Sequence, residues 1–206
     1  LKHVLRSTNL PRPFETTSDF YVVCEVECAT ENSEEKIIRT FEDCLEKTWI
    51  SNGVISQSEV QAKIFWRYRE DISEALSVYS PYKNDIAVSV SKVPDFMTDL
   101  DNVLKKAYPT WEVIWFGHIG DGNLHINILR PEGMNKEDFL KECRQVDKMV
   151  FEVVQKYSGS ISAEHGVGLT KKSFLTYSRS PSEIEIMKGI KKVFDPDWIM
   201  NPGKVI

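Results

Sequence analysis

Residues 118–127 read HIGDGNLHIN, and their pattern predicts an antiparallel β-hairpin. Apolar and polar residues alternate on both sides of Asp121-Gly122, a dipeptide typical of a type I′ turn because both central positions need a positive φ angle. A two-residue turn would pair His118 directly with His125, with their Cβ atoms about 4.5 to 5.5 Å apart. At that separation, two imidazole nitrogens can reach one metal ion.

The predicted hairpin has two chemically different faces, because successive side chains of a strand point to opposite faces. One face carries His118, His125 and Asn127. The apolar residues fall on the other face, namely Ile119, Leu124, Ile126 and Ile128. One face is therefore expected to join the core, and the other to carry a candidate site. The alternative is that the polar side chains are simply solvated.

Outward from the hairpin, the spacing of apolar residues predicts the remaining elements. Strands are predicted at 20–28, near 54–55, and at 86–90, 111–115 and 124–128, and helices at 32–48, 64–79, 96–104, 135–157 and from 180 onward. Capping residues support three of the helices, namely Asn32 with Glu35, Asn135, and Ser180 with Glu183. Because the hairpin demands antiparallel pairing, we expect an α+β fold with a ferredoxin-like, mixed but largely antiparallel sheet and helices packed on one face.

Composition and charge exclude several classes of protein. The chain has 206 residues, of which 41% are hydrophobic and 28% charged, as expected of a globular protein and not of a disordered one. Its 26 Lys and Arg against 31 Asp and Glu give a net charge of −5 without a basic cluster, which argues against a nucleic-acid partner. No apolar stretch approaches the roughly 18 residues of a membrane span. We therefore expect a soluble protein that binds a small molecule.

Two further features concern the context of the chain. The cysteines are Cys24, Cys28, Cys44 and Cys143, and they form no C-x-x-C motif. Free thiols are typical of a reducing compartment, and we expect the cytoplasm or a similar one. The chain begins at Leu1, and residues 10–14 (LPRPF) have the composition of a linker. We therefore predict a linker over 1–14 and one domain over 15–206.

A second polar cluster, SAEHGVG at 162–168, follows a short apolar segment. Its two glycines permit a loop in which the backbone closely approaches a ligand. Glu164 could complete a set of two histidines and one carboxylate, which with an open fourth position is typical of a catalytic zinc site. His165 would then remain free to act as a base. The alternative is a loop that makes ordinary hydrogen bonds. No G-x-G-x-x-G or P-loop motif indicates a nucleotide site.

Three motifs in the same order resemble a known family. HIGDGNLH at 118–125, EHGVG at 164–168 and NPGK at 201–204 closely resemble the C-terminal domain of FAD-linked oxidases of the vanillyl-alcohol oxidase fold family. The branch resembled is that of D-lactate dehydrogenase, D-2-hydroxyglutarate dehydrogenase and the glycolate oxidase D subunit. The resemblance implies a two-domain flavoenzyme. An N-terminal domain outside this chain would bind FAD and continue into the linker 1–14, and residues 15–206 would cap the flavin and hold the substrate.

The resemblance also implies roles for individual residues. A divalent ion, Zn or Mn, would be bound by His118, His125 and Glu164, and the substrate's hydroxyl proton would be taken by His165. Substrate contacts would come from Arg69, Ser73, Lys83 and Asn127, and cofactor contacts from Asn201, Glu164 and Gly166. Arg67 competes with Arg69 for the carboxylate, but the two point about 200° apart on a helix, so at most one faces the site.

The reaction implied by the resemblance is oxidation of a D-2-hydroxy acid of lactate, glycolate or hydroxyglutarate type to the 2-oxo acid, with hydride transfer to flavin. The chain alone is expected to be inactive and not to hold FAD tightly. A homodimer is one assembly that the resemblance allows. Two other functions stay open. One is a non-catalytic accessory or metal-binding subunit of the same fold, and the other is a metal-dependent hydrolase that works without flavin.

Overall fold

A computed structural model of the chain describes residues 1–28, 30 and 32–206. These residues divide into two compact units, Leu1–Val78 (unit 1) and Tyr79–Ile206 (unit 2). Among the described helices, none combines the length and the apolar character that crossing a membrane requires.

Unit 1 is built from helices. They are α1 (Lys2–Ser7), α2 (Ser33–Glu46), α3 (Glu59–Glu70) and α4 (Ile72–Ser77). Helix α1 packs against α4, and Val4 and Leu76 are buried there. Ser58 caps α3 by accepting a hydrogen bond from the Gln61 amide at 3.3 Å. Helix α1 lies inside the segment predicted to be a linker, and its His3 is buried.

The strands predicted in unit 1 are wrong. The described residues of unit 1 contain no strand, so neither the alternating segment 20–28 nor the segment near 54–55 forms one. Alternation makes a segment suitable for a sheet, but a strand is stable only when another strand pairs with it. Phe20, for example, remains 72% exposed instead of entering a core.

The predicted helices of unit 1 are present with two differences. The helix predicted over 32–48 forms as α2, but the Asn32 side chain makes no capping hydrogen bond. The helix predicted over 64–79 is divided at Asp71, which ends α3 and precedes α4. Helical periodicity continues across this break, so the sequence pattern did not reveal it.

Unit 2 contains the predicted hairpin. Its elements are β1 (Tyr82–Ala87), α5 (Val93–Ala107), β2 (Val113–His118), β3 (Asn123–Ile128), α6 (Lys136–Lys156) and α7 (Pro181–Phe194), with short 3₁₀ helices at Val90–Lys92 and Lys172–Tyr177. The predicted caps of α6 and α7 are confirmed. The Asn135 side chain accepts a hydrogen bond from the Asp138 amide, and Ser180 and Glu183 form a complete capping box.

The sheet of unit 2 has three antiparallel strands in the order β1-β3-β2. After α6, Ser160 forms a single antiparallel bridge with Ala87 of β1. The β-α-β-β-α succession followed by this bridge corresponds to a ferredoxin-like fold whose fourth strand is reduced to one residue. The predicted α+β fold is therefore confirmed, and every strand pair among the described residues is antiparallel.

The two faces of this sheet have different surroundings. Helices α5 and α6 contact each other and share a core with one face, formed by Ile86, Leu124, Ile126 and Ile128 of the sheet, Phe96, Leu100 and Leu104 of α5, and Phe139, Val150 and Phe151 of α6. Because side chains alternate along a strand, the residues between these sheet residues point to the opposite face. That opposite face carries the polar side chains of the hairpin.

The hairpin forms where it was predicted, but with a longer loop. Four residues, 119–122, join β2 to β3, so that His118 pairs with Asn123. The predicted direct pairing of His118 with His125 is therefore wrong. Because the register differs by two residues, both histidines nevertheless stay on one face. Ile119 lies in the loop and is half exposed, whereas the sequence predicted it in the core.

Interactions of Asp121 and Gly122 account for the longer loop. Asp121 Oδ1 accepts a hydrogen bond from the Asn123 amide at 2.9 Å, an Asx turn in which a side chain takes the place of a backbone acceptor. The Gly122 carbonyl accepts a hydrogen bond from the Val88 amide at 3.1 Å. The loop is therefore anchored to the end of β1 as well as closed on itself.

Candidate functional site

Two histidines and one glutamate meet on the polar face of the unit 2 sheet. His118 ends β2, His125 lies within β3, and Glu164 lies in the loop after the Ser160 bridge. One potential ligand atom of each lies within 4.8 Å of the others. Glu164 Oε1 is 3.0 Å from His118 Nδ1, and Oε2 is 3.9 Å from His125 Nε2. The structure thus brings together the three predicted metal ligands, here called the His–Glu cluster.

Exposure differs within the His–Glu cluster. The His125 side chain is 13% exposed, whereas His118 and Glu164 are 48% and 44% exposed. The two imidazole rings lie 6.0 Å apart and almost perpendicular. The cluster therefore has a nearly buried side on β3 and an open side that a small ligand can approach.

Asp85 connects the loop of Glu164 to the sheet. It lies on β1 directly opposite His125. Its Oδ2 accepts hydrogen bonds from the three backbone amides of residues 163–165 at 3.1, 2.8 and 3.1 Å. Burial tends to raise the pKa of Asp85, but two of these amides and the imidazoles of His165 and His125 together lower it below its usual value. Asp85 is therefore a buried carboxylate that holds the loop in place.

His165 lies beside the His–Glu cluster, and its side chain faces Asp85. Its Nδ1 is 3.7 Å from Asp85 Oδ2, and its side chain is 67% exposed. Its ring lies 6.0 Å from that of His125, and the two planes differ by 25°. Since Nδ1 faces Asp85, Nε2 is the nitrogen left for proton exchange with a ligand.

Sequence reasoning missed Asp85 and Lys171, two residues that build the site. Lys171 Nζ donates hydrogen bonds to the backbone carbonyls of Ile161 at 2.6 Å and Asp85 at 3.1 Å. Burial lowers the pKa of Lys171, while the carboxylates of Asp85 and Asp147 act in the opposite direction. Asp85 could have been found as a carboxylate inside a strand pattern, which needs a partner when buried. Nothing in the sequence distinguishes Lys171 from Lys172.

Two predicted substrate-binding residues lie on the same face of the sheet. Lys83 of β1 and Asn127 of β3 are direct cross-strand partners, two residues along from the pair Asp85 and His125. Lys83 is exposed, whereas Asn127 is only 1% exposed. Among the described residues, none donates a hydrogen bond to Asn127 Oδ1. Buried acceptors normally have a donor, so this oxygen is an exception within the sheet.

The C-terminal segment meets the loop of the second motif. The Val205 amide donates a hydrogen bond to the Gly168 carbonyl at 2.9 Å. Asn201 and Gly166 both have positive φ angles, of 48° and 77°. Among the described residues, apart from the two chain neighbours of Gly166, none has an atom within 4 Å of the position that a Gly166 Cβ would occupy, so the backbone is open there.

The remaining predicted substrate-binding residues belong to unit 1. Arg69 lies in α3 and is partly buried, and Ser73 lies in α4 and is exposed. Arg67 donates two hydrogen bonds to Asp71 Oδ2, at 3.1 and 2.8 Å. That ion pair engages the guanidinium group of Arg67. The contacts of Arg69 and Ser73 with a substrate stay predictions.

The donor set of the His–Glu cluster, two imidazoles and one carboxylate, is of the kind that binds a divalent metal ion. Two ligand atoms bound to one zinc ion at about 2.0 to 2.1 Å are at most about 4.2 Å apart. The distances of 3.0 Å from Glu164 Oε1 to His118 Nδ1 and 3.9 Å from Oε2 to His125 Nε2 lie inside that limit, and one ligand atom of each of the three residues lies within 4.8 Å of the others. Two imidazoles and one carboxylate also leave a fourth position open, as in catalytic zinc sites.

Comparisons with known proteins support the relationship that the motifs indicate. A profile of the family described as "FAD linked oxidases, C-terminal domain" matches residues 1–205. The chain is 55% identical over 205 residues to the D-2-hydroxyglutarate dehydrogenase of Stutzerimonas stutzeri (strain A1501). The match covers 100% of the chain and 44% of that protein. The chain is 49% identical over 205 residues to the enzyme of the same name from Xanthomonas citri pv. viticola. That match covers 100% of the chain and 43% of the relative. The chain is 39% identical over 196 residues to the mitochondrial D-2-hydroxyglutarate dehydrogenase of Arabidopsis thaliana. That match covers 94% of the chain and 34% of the relative. The chain therefore spans less than half the length of these relatives.

Proposed function

Because the chain belongs to the family of FAD-linked oxidase C-terminal domains, we propose that it forms the substrate-binding and flavin-capping part of an FAD-dependent D-2-hydroxy-acid dehydrogenase. The whole enzyme would include a flavin-binding region, for which the greater length of the relatives leaves room. One observation carries the proposal, namely the meeting of the His–Glu cluster and His165 on one sheet face. A hydroxyglutarate-type substrate is proposed because both bacterial relatives are named for it.

The proposed metal ligands are His118, His125 and Glu164, with zinc or manganese as the ion. When bound, the ion would supply a Lewis acid for the substrate, and FAD would supply the hydride acceptor. Asp85 holds the backbone of residues 163–165, and through it keeps the Glu164 carboxylate opposite the two imidazoles. Gly166, beside which the space is open, and Asn201, which also has a positive φ angle, are proposed to approach the flavin.

His165 is the proposed proton acceptor. Oxidation at the α-carbon requires that the substrate's hydroxyl group lose its proton as the hydride leaves. With Nδ1 of His165 turned toward Asp85, Nε2 would receive that proton. A positioned base of this kind contributes about 100- to 10,000-fold to a rate.

Lys83 is proposed to bind a carboxylate of the substrate, and Asn127, its cross-strand partner, is proposed to contact the substrate beside it. One two-residue step along the strands, about 6.6 Å, separates this pair from the pair Asp85 and His125. A hydroxyglutarate-type substrate has a second carboxylate several bonds from its hydroxyl group, and Lys83 offers a cation on that side. Lactate and glycolate lack this group, so the arrangement supports a dicarboxylate. Arg69 and Ser73 are also proposed to contact the substrate, as the family resemblance implies.

One observation favours a second candidate, a metal-free oxidase site. His118 Nδ1 and Glu164 Oε1 are 3.0 Å apart, which is a hydrogen-bond distance. In that case His118 and His125 would bind the substrate by hydrogen bonds, and His165 would still accept the proton. The substrate class and the flavin would be the same.

Metal analysis distinguishes the two candidates. Protein dialysed against metal-free buffer and reloaded with zinc or manganese should retain close to one equivalent. His125→Ala and Glu164→Gln should retain little, because each removes a ligand. Glu185→Gln is the matched control and should behave like the parent, since Glu185 is a carboxylate of α7 that bonds Lys188. No metal in the parent, or equal retention by Glu164→Gln and the parent, would contradict the metal site.

The compartment and the assembly stay predictions. The exposed thiols of Cys24 and Cys28 support a reducing compartment such as the cytoplasm, since free cysteines persist there. A homodimer remains the assembly that the family resemblance allows.

A further inference from the structure

Asp85 stands at the centre of the site although it is neither a predicted metal ligand nor the proton acceptor. Its side chain is 5% exposed, and both of its oxygens face residues of the site. A buried carboxylate is costly unless hydrogen bonds or charges compensate it. The partners of each oxygen therefore indicate what this carboxylate does.

Hydrogen bonds from the loop compensate the Oδ2 atom for its burial. Three consecutive backbone amides, those of residues 163–165, donate to it at 3.1, 2.8 and 3.1 Å. Successive amides that converge on one anion form a concave binding site for it. The anion here belongs to β1, so the backbone that carries Glu164 and His165 is held at a fixed distance from the sheet.

The Oδ1 atom has no hydrogen-bond donor among the described residues. It lies 3.4 Å from His125 Nδ1, and the other nitrogen of that ring, Nε2, faces Glu164 at 3.9 Å. A neutral imidazole carries one N–H, which is on either nitrogen. A proton on Nδ1 places a donor 3.4 Å from Oδ1, whereas a proton on Nε2 would face the Glu164 carboxylate at 3.9 Å, which is beyond hydrogen-bond distance.

We infer that Asp85 is the positioning residue of this site, whose Oδ1 selects the Nδ1–H tautomer of His125 while Oδ2 holds the loop of Glu164 and His165. The arrangement corresponds to the carboxylate–histidine–metal geometry in which an outer carboxylate sets the tautomer and orientation of a ligand. The role in metal binding rests on the proposed function, but the choice of tautomer does not.

Asp85→Asn separates the two functions of the carboxylate with almost no change of shape. The three amide donors require an acceptor at the Oδ2 position, so the new side chain must direct its oxygen there and its NH₂ group toward His125. A donor opposite Nδ1 favours the Nε2–H tautomer, whose Nε2 has no lone pair for a metal. The loop would keep its hydrogen bonds, and His125 would lose its orientation.

Two measurements test this. Long-range proton–nitrogen NMR spectra of the metal-free protein at neutral pH report the tautomer of His125, and titration with zinc alone reports affinity. We expect the Nδ1–H tautomer in the parent and the Nε2–H tautomer in Asp85→Asn, with zinc affinity about 10- to 100-fold lower in the variant. Asp99→Asn is the matched control and should match the parent, because Asp99 bonds Lys156 and Tyr157 on the helices.

The outcomes separate this inference from the proposed function. An Nε2–H tautomer in the parent overturns the inference without any variant, so it stays testable even if Asp85→Asn does not fold. An unchanged tautomer and a zinc affinity within twofold of the parent in Asp85→Asn would overturn it as well. A parent that binds no zinc but shows the tautomer change on substitution would contradict the metal site while supporting the role of Asp85.

Discussion

Gly122 is a glycine for two independent reasons. Its φ angle is +75°, in the left-handed region, and a Cβ at this position would lie 1.8 Å from the Val88 carbonyl oxygen. A left-handed φ angle costs a residue with a Cβ about 1 to 2 kcal/mol of folding free energy. The close contact with Val88 cannot be relieved by rotating a side chain, because the contact is with main chain. The close approach of Gly122 to Val88 thereby ties the loop before His125 to the end of β1.

Replacement of this glycine should be unusually damaging. Gly122→Ala is expected to lower the free energy of unfolding by about 2 to 4 kcal/mol, the sum of backbone strain and overpacking. Gly133→Ala is the matched control, since Gly133 has a φ of +79° but no described residue other than its chain neighbours comes within 4 Å of a Cβ there. It should cost only the strain of about 1 to 2 kcal/mol. Urea denaturation measures both. Equal losses would contradict the importance of the contact with Val88.

At the scale of elements, a buried polar contact joins β1 to α6 beneath the sheet. Asp147 of α6 accepts hydrogen bonds from Tyr82 Oη at 2.5 Å and Asn84 Nδ2 at 3.4 Å, both from β1. Burial raises the pKa of Asp147 above its ordinary value of 3.8, although these two hydrogen bonds act in the opposite direction. The contact between helix and strand therefore includes a carboxyl group whose ionisation the fold disfavours.

This raised pKa predicts the sign of a pH effect on stability. Ionising Asp147 costs the folded state more than the unfolded one, so the parent loses stability as the pH rises from about 3.8 to the raised pKa, and the full cost is present above it. Asp147→Asn does not ionise, so its stability relative to the parent should increase over that range. Denaturant unfolding at a series of pH values measures this difference.

Asp99→Asn provides a comparison of opposite sign. A hydrogen bond from Lys156 lowers the pKa of Asp99, so this carboxylate stabilises the parent above pH 3.8 and the effect disappears as the pH falls through the lowered pKa. The stability of Asp99→Asn relative to the parent should therefore decrease as the pH rises toward 3.8. A flat or falling curve for Asp147→Asn would contradict the disfavoured ionisation of Asp147.

At the scale of the whole molecule, the proposed reaction needs more than this chain. The His–Glu cluster and His165 belong to unit 2, Arg69 and Ser73 belong to unit 1, and the sequence contains no nucleotide-binding motif. The chain covers 44% and 43% of the two bacterial relatives described above. Binding of FAD is accordingly proposed for a region beyond these residues.

Turnover by the whole protein tests this division of roles. Expressed with the proposed flavin-binding region, the protein should reduce an artificial electron acceptor with a higher kcat/KM for D-2-hydroxyglutarate than for D-lactate or glycolate. His165→Ala should lower kcat by about 100- to 10,000-fold with unchanged flavin content. Lys83→Met should lower kcat/KM for hydroxyglutarate more than for lactate, because only the former has a second carboxylate.

The chain on its own is the control for that experiment. It should show neither stoichiometric flavin absorbance nor turnover, and bound flavin would contradict the expected division between two regions. Ester or amide hydrolysis without flavin would instead support the hydrolase that the sequence left open.

Local interactions explain which elements could be predicted. The caps at Asn135 and Ser180 and the hairpin around Asp121-Gly122 depend on residues a few positions apart, so they were visible in the sequence. The alternation at 20–28 was equally clear, but no neighbouring strand exists among the described residues to pair with it. Sheet formation depends on distant partners, and the sequence pattern does not contain them.

By itself, the sequence determined the hairpin, the sharing of one face by His118 and His125, and the presence of Glu164 next to His165 in the chain. The two hairpin histidines share a face because period-two alternation preserves the face even when the register changes by two. Only the tertiary structure decided that β1 brings Asp85 to His125 and to the loop of Glu164. The hydrogen bonds concerned join residues 78 to 80 positions apart. Contacts over such separations follow from strand pairing and core packing, which bring together residues that no local pattern relates.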